Sequence, residues 1–222
     1  MVGVEKYSLN ELVSDIIELI ENLVTKEHPK CVLVGHDWGG VLTWATAHAA
    51  GGLISKHIVM NAPYGSDWQR EIETSWIQFL RSWYKVFFNF PMIPELIIRS
   101  NDFELIGKIF KKFTKNEEEI EAYKYCLSIN PYTLTAALNY YRANLRGYSK
   151  EFASNYRLNS TQIDPETVVL WAKNDLYLNA SLANAGIKHC RKGSVEFIDN
   201  CSHFLQVEQP DTVIALMRKH LK

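Results

Sequence analysis

The 222 residues carry 24 Lys and Arg against 25 Asp and Glu, a formal net charge of -1, with 47% hydrophobic and 22% charged residues. That balance, with no long basic run, excludes the footprint of a nucleic-acid binder, and no apolar stretch reaches membrane-spanning length. Cys31, Cys126, Cys190 and Cys201 are far apart and form no CxxC pair, which argues against a disulfide scaffold or a zinc site and for a reduced, cytoplasmic chain.

In chain order, Ser8-Leu9-Asn10-Glu11 has the form of a capping box. Behind it Leu12, Val13, Ile16, Ile17, Ile20, Leu23 and Val24 recur at helical spacing, predicting a helix from Leu9 to Thr25 that Pro29 closes. Cys31 to Val34 reads as a fully buried strand, Val41 to Ala50 as a helix ended by Gly51-Gly52, and His57 to Met60 as a second strand running into Asn61-Ala62-Pro63. From residue 65 to residue 156 the patterns are helical or irregular and rich in Trp, Tyr and Phe. Alternation resumes with strands at Thr167 to Ala172 and Ser194 to Ile198, a helix at Leu182 to Lys188 and a last helix at Asp211 to Leu221. Strands alternating with helices imply an α/β fold with a parallel sheet covered on both faces. The expected organisation is a sheet core, residues 1–64 and 157–222, with residues 65–156 inserted as a helical cap.

The chemistry concentrates at Gly35-His36-Asp37-Trp38-Gly39-Gly40. On a strand-turn-helix this is the nucleophile-elbow pattern with Asp where Ser is commoner. Such a turn lifts the side chain clear of the sheet, the glycines allow close helix packing, and the helix N-terminus favours negative charge. The competing reading is that Asp37 merely caps the helix behind it, since Asp is a favoured N-cap. Partners in the order nucleophile, acid, histidine weigh against that alternative: Asp175 follows one strand and His203 another, both at strand carboxyl ends. His36 neighbours Asp37 and is a candidate pocket residue with a structural role as an equal alternative, and the backbone N–H of Trp38 is a candidate oxyanion donor. Glu117-Glu118-Glu119 reads as a solvated helix start.

GHDWGG, the NDLYLN acid loop and the SHFLQVEQP histidine loop resemble the epoxide hydrolases of the α/β-hydrolase fold over essentially the whole chain. GHDWGG is shared with haloalkane dehalogenases, so it marks a branch of that superfamily; the discriminator is a pair of cap tyrosines. Leu138-Asn139-Tyr140-Tyr141-Arg142 makes Tyr141 one match, and Trp83-Tyr84-Lys85, ahead of a Phe-rich run ending at Pro91, makes Tyr84 the other. The resemblance implies that a lipophilic epoxide is opened to a vicinal diol without metal or organic cofactor. Asp37 would form the ester, Tyr84 and Tyr141 would serve the leaving oxygen, and His203, oriented by Asp175, would activate water.

The resemblance also implies strands ahead of the elbow and a His-Gly-x-Pro loop carrying a second oxyanion donor. The sequence holds no His-Gly pair, and only a helix precedes the elbow strand. The fold is therefore expected to be partial, with the elbow strand at an open sheet edge that is a route to self-association. A short isoform or fragment of an enzyme, a chain that pairs this edge with a partner, and a catalytically impaired binding module all fit. An N-terminal membrane anchor on a longer form fits as well.

Overall fold

The computed structural model describes residues 3–149 and 162–222; the expected insert boundary near Tyr156 lies outside them. Two compact units divide the chain at Ser82 rather than at residue 65: one holds Ser82–Tyr148 with the described residues up to Ser8, the other Leu9–Arg81 and the described residues from Ser149 onward. Among the described residues no helix is long and apolar enough to cross a membrane.

The larger unit is built on four parallel strands in the order β1-β2-β3-β4: β1 (Cys31–His36), β2 (Ile54–Met60), β3 (Glu166–Ala172) and β4 (Gly193–Ile198). Each predicted strand is present, extended by one to three residues because backbone pairing with a neighbour recruits flanking positions, such as His36, Lys56 and Glu166, outside the short apolar run. α1 (Leu9–Leu23) stops two residues before the predicted end, where the backbone N–H of His28 donates to the Thr25 hydroxyl and the Thr25 N–H donates to the His28 carbonyl, closing a turn. Its inward face buries Val13 and Ile20. α2 (Trp38–Ala50) begins immediately after the elbow. α3 (Gly65–Thr74) and α4 (Trp76–Arg81) belong to this unit, as do α9 (Ser181–Gly186), α10 (Leu205–Glu208) and α11 (Pro210–His220).

Two apolar layers sandwich the sheet. On one face Trp44, Val59, Val169, Trp171 and Leu182 pack together, with Cys31 and Leu33 of β1 against them. Opposite lie Ile58, Val168, Leu170, Ile198 and, from α11, Val213. β3 is buried from Thr167 to Ala172, as a central parallel strand should be. β1 departs from the sequence expectation: it is not buried on both faces, because Val32 and Val34 keep 44% and 41% of their surface exposed. The second layer does not reach this edge strand, so its apolar run is covered on one side only.

The smaller unit contains α5 (Trp83–Phe88), α6 (Ile93–Phe110), α7 (Glu117–Ser128) and α8 (Thr133–Leu145). Ile98, Phe103, Leu134 and Leu138 form its core. α6 is broken at Ser100–Phe103, where Asn101, Asp102 and Phe103 take left-handed φ, and the break leaves Phe103 buried. The acidic run starts α7 as expected: the Asn116 side chain accepts from the Glu118 N–H, and the three glutamates sit in the first turn, where the helix dipole favours them.

Candidate active site

Register brings the carboxyl ends of β1, β2 and β3 level. His36 pairs with Met60, and Met60 with Leu170. The loops beyond are stitched together: Asp37 N–H donates to Met60 O, Asn61 N–H to Leu170 O, and Asn174 N–H to Cys201 O.

Asp37 sits at the resulting turn with φ 49° and ψ -121°, a left-handed conformation that costs a non-glycine residue of order 1–3 kcal/mol. Two glycines make the turn possible. A Cβ on Gly35 would meet the Gly39 carbonyl oxygen at 2.4 Å, and one on Gly40 would meet the Ala62 Cβ at 2.3 Å. Gly39 faces open space, so close packing does not require it. The Asp37 side chain makes no capping hydrogen bond to α2; only its backbone carbonyl serves the helix, accepting from the Val41 N–H. The N-cap reading of this carboxylate therefore finds no capping hydrogen bond to support it. It lies deep among protein atoms, yet its side chain keeps 42% of its surface open to solvent, as expected of a recess rather than a packed core.

His203 Nε2 stands 3.5 Å from Asp37 Oδ1, and His203 Nδ1 is 2.9 Å from Asp175 Oδ2. Asp175 is anchored in turn, its Oδ1 accepting from the backbone N–H groups of Tyr177 and Leu178 at 2.7 and 3.0 Å. Three side chains from three strand ends are thus in one line. Burial would raise the Asp37 carboxyl, but the hydrogen bond and charge of His203, with His36 and the Trp38 N–H, outweigh it and hold it below its ordinary value. Burial likewise works against charge on His203, yet the hydrogen bonds to Asp175 and Asp37 prevail and raise its pKa to about 10.

His36 points into the loop network: its Nε2 lies 2.8 Å from the His203 carbonyl oxygen and its Nδ1 3.3 Å from Gln206 Nε2. The backbone N–H of Trp38 is directed at the Asp37 carboxyl. Tyr84 and Tyr141, in the smaller unit, pack ring to ring at 5.8 Å and 82°, with Phe88 against both. Arg142, one residue on, fixes this pair. It grips Glu95 at 2.7 and 2.9 Å, and donates to the carbonyls of Phe88 and Phe90 at the end of α5.

Sequence reasoning missed Asn61, Gln206, Glu208 and the Arg142–Glu95 pair. Asn61 is fully buried with φ 38°; it accepts from the Ala172 N–H at 2.8 Å and donates to the carbonyls of Ser202 and His203, both at 3.1 Å. Its position directly after β2 was the available signal, but partners 111 to 142 residues away carry no local pattern.

The sequence model of the Alpha/beta hydrolase family matches residues 4–216. The chain is 33% identical to epoxide hydrolase 3 of Xenopus tropicalis over 98% of its own length and 59% of the relative's. It is 31% identical to the AB hydrolase superfamily protein YfhM of Bacillus subtilis over 99% of its length and 74% of the relative's. In structure it is similar to a mutant of an epoxide hydrolase from Bacillus megaterium, with TM-score 0.84 and 24% identity over 100% of this chain and 78% of the other, a likeness of fold. The chain spans little more than half the length of the curated epoxide hydrolases it first matches.

Proposed function

From the premise that the chain belongs to the alpha/beta hydrolase family, we propose that it describes the catalytic part of an epoxide hydrolase that opens a lipophilic epoxide to a vicinal diol. The observation that carries this reading is the line Asp37–His203–Asp175, whose first carboxylate makes no capping hydrogen bond to α2 and stands within reach of His203 instead. The similarity to relatives named epoxide hydrolases supports the substrate class.

A carboxylate kept ionised attacks carbon and leaves an ester. In this reading Asp37 attacks one carbon of the epoxide, while the hydroxyls of Tyr84 and Tyr141 donate to the oxygen as it becomes an alkoxide. Ester formation cancels the Asp37 charge. That removes one of the causes that raise His203 from its ordinary value to about 10, and the imidazole moves towards the range in which it accepts a proton from water. Asp175 keeps the ring oriented during that transfer. The hydroxide attacks the ester carbonyl, the Trp38 N–H stabilises the oxyanion, and its collapse breaks the ester C–O bond. The water's two protons, one returned by His203 and one left by the new carboxyl, end on the two alkoxide oxygens, so the diol leaves and Asp37 is again a carboxylate. A second reading, a binding module with impaired turnover, draws on the sheet edge at β1 and on the lack of a His-Gly oxyanion loop.

Phenyl glycidyl ether offered to the full chain tests both readings. Diol formation is expected, falling on the order of 10⁴-fold in Asp37→Asn. A single turnover in oxygen-18 water should yield unlabelled diol and labelled Asp37. Label in the first diol, or steady Asp37→Asn turnover without deamidation, overturns the ester mechanism. Binding without any turnover favours the second reading.

A further inference from the structure

The His203 backbone carbonyl is the meeting point of two strand ends. His36, closing β1, presents Nε2 at 2.8 Å, and Asn61, following β2, presents Nδ2 at 3.1 Å. A carbonyl oxygen has two lone pairs and only accepts, so two donors saturate it. His36 must therefore carry its proton on Nε2. Nδ1 is then free to accept from the Gln206 amide, 3.3 Å away, and this arrangement describes a neutral imidazole. The groups facing His36 agree with that assignment: burial and the His203 charge push it below its ordinary value, against the opposing pull of Asp37 and Asp175.

Asn61 braces more than one loop. Its Oδ1 holds the Ala172 N–H at the end of β3, and its amide also donates to Ser202 O. It is fully buried, and its left-handed φ of 38° is tolerated by Asn better than by most residues. At the far end of the same loop, Glu208 Oε2 accepts the Ser202 N–H at 3.0 Å. The histidine loop is consequently fastened at its backbone by side chains that take no part in the Asp37–His203–Asp175 line.

We propose that His36 and Asn61 are positioning residues for the general base: by holding the His203 carbonyl they keep its imidazole in register with Asp175 and Asp37. This rests on the epoxide hydrolase reading above. Forming the ester calls on Asp37, whereas hydrolysing it calls on a water held within hydrogen-bond reach of His203. Loosening the loop should therefore slow the second step and spare the first. A displacement of about 1 Å can cost on the order of 10²-fold.

The test separates donor from scaffold. His36→Phe removes the donor and keeps a ring, His36→Gln keeps an N–H donor, and Asn61→Gly removes the amide while suiting the left-handed φ. With phenyl glycidyl ether, intact mass spectrometry of quenched reactions reads the ester directly, and His203→Gln serves as the trapped reference. His36→Phe and Asn61→Gly should accumulate ester, its decay slowed about 10-fold to 10²-fold with formation little changed. His36→Gln should recover most of the decay rate. Independently of turnover, the low-field proton resonance of the His203–Asp175 hydrogen bond should shift or broaden in the two donor-less variants and be restored in His36→Gln. Wild-type ester decay and an unmoved resonance in both donor-less variants would overturn the proposal. Should even His203→Gln form no ester, the epoxide reading is what has failed, and the resonance alone then decides the positioning role. If Asn61→Gly does not fold, the His36 pair carries the same comparison.

Discussion

His203 is the residue whose ionisation its surroundings shift most plainly in the candidate site. Its imidazole is buried between two carboxylates, and their hydrogen bonds raise its pKa from 6.5 to about 10. A pKa raised on folding stabilises the fold fully below the ordinary value near 6.5, and that stability is lost as the pH climbs towards 10. Melting temperature should therefore fall between those limits, and the fall should be shallower in His203→Gln. An identical slope in the two proteins would show that the imidazole is not charged in the resting fold.

At the scale of elements, the elbow and the tyrosine pair depend on contacts that discriminate between similar residues. Gly40→Ala places a methyl against Ala62 and should destabilise by about 1–3 kcal/mol, whereas Gly39→Ala meets nothing and should leave stability within about 0.5 kcal/mol. Urea denaturation of the two variants checks the contrast; equal losses would contradict the packing described for α2. In the smaller unit, Arg142 and Glu95 form a bidentate pair with only 6% and 14% of their side chains exposed. Arg142→Ala should cost about 3–5 kcal/mol by stranding the carboxylate. Arg142→Lys recovers little, because an ammonium cannot reproduce two parallel bonds while also serving the Phe88 and Phe90 carbonyls. Much of the fold was legible at this scale: the four strands and the flanking helices appear where apolar periodicity put them. The break inside α6 was not, since Ser100–Phe103 contains neither Gly nor Pro to announce it.

For the molecule as a whole, the exposed side of β1 has the largest consequence. Among the described residues this strand has one neighbour, and Val32 and Val34 face solvent on a side that the α11 layer does not reach. An uncovered edge with β-branched residues is a template for pairing with other chains. Val32→Lys with Val34→Lys should raise the protein concentration at which light scattering begins, with little change in melting temperature. Unchanged scattering would place any self-association elsewhere on the surface.

Sequence alone picked out the three residues of the candidate line. Asp37, Asp175 and His203 each stand beyond an apolar run, in the order nucleophile, acid, histidine, and a strand's carboxyl end is a place that local pattern can mark. Only the tertiary structure decided that the Asp37 carboxylate makes no capping hydrogen bond, because capping is a matter of where the side chain turns at φ 49°. It also decided what holds the His203 loop. His36 and Asn61 act on a carbonyl more than 140 residues away, through hydrogen bonds that arise from parallel register and have no counterpart along the chain.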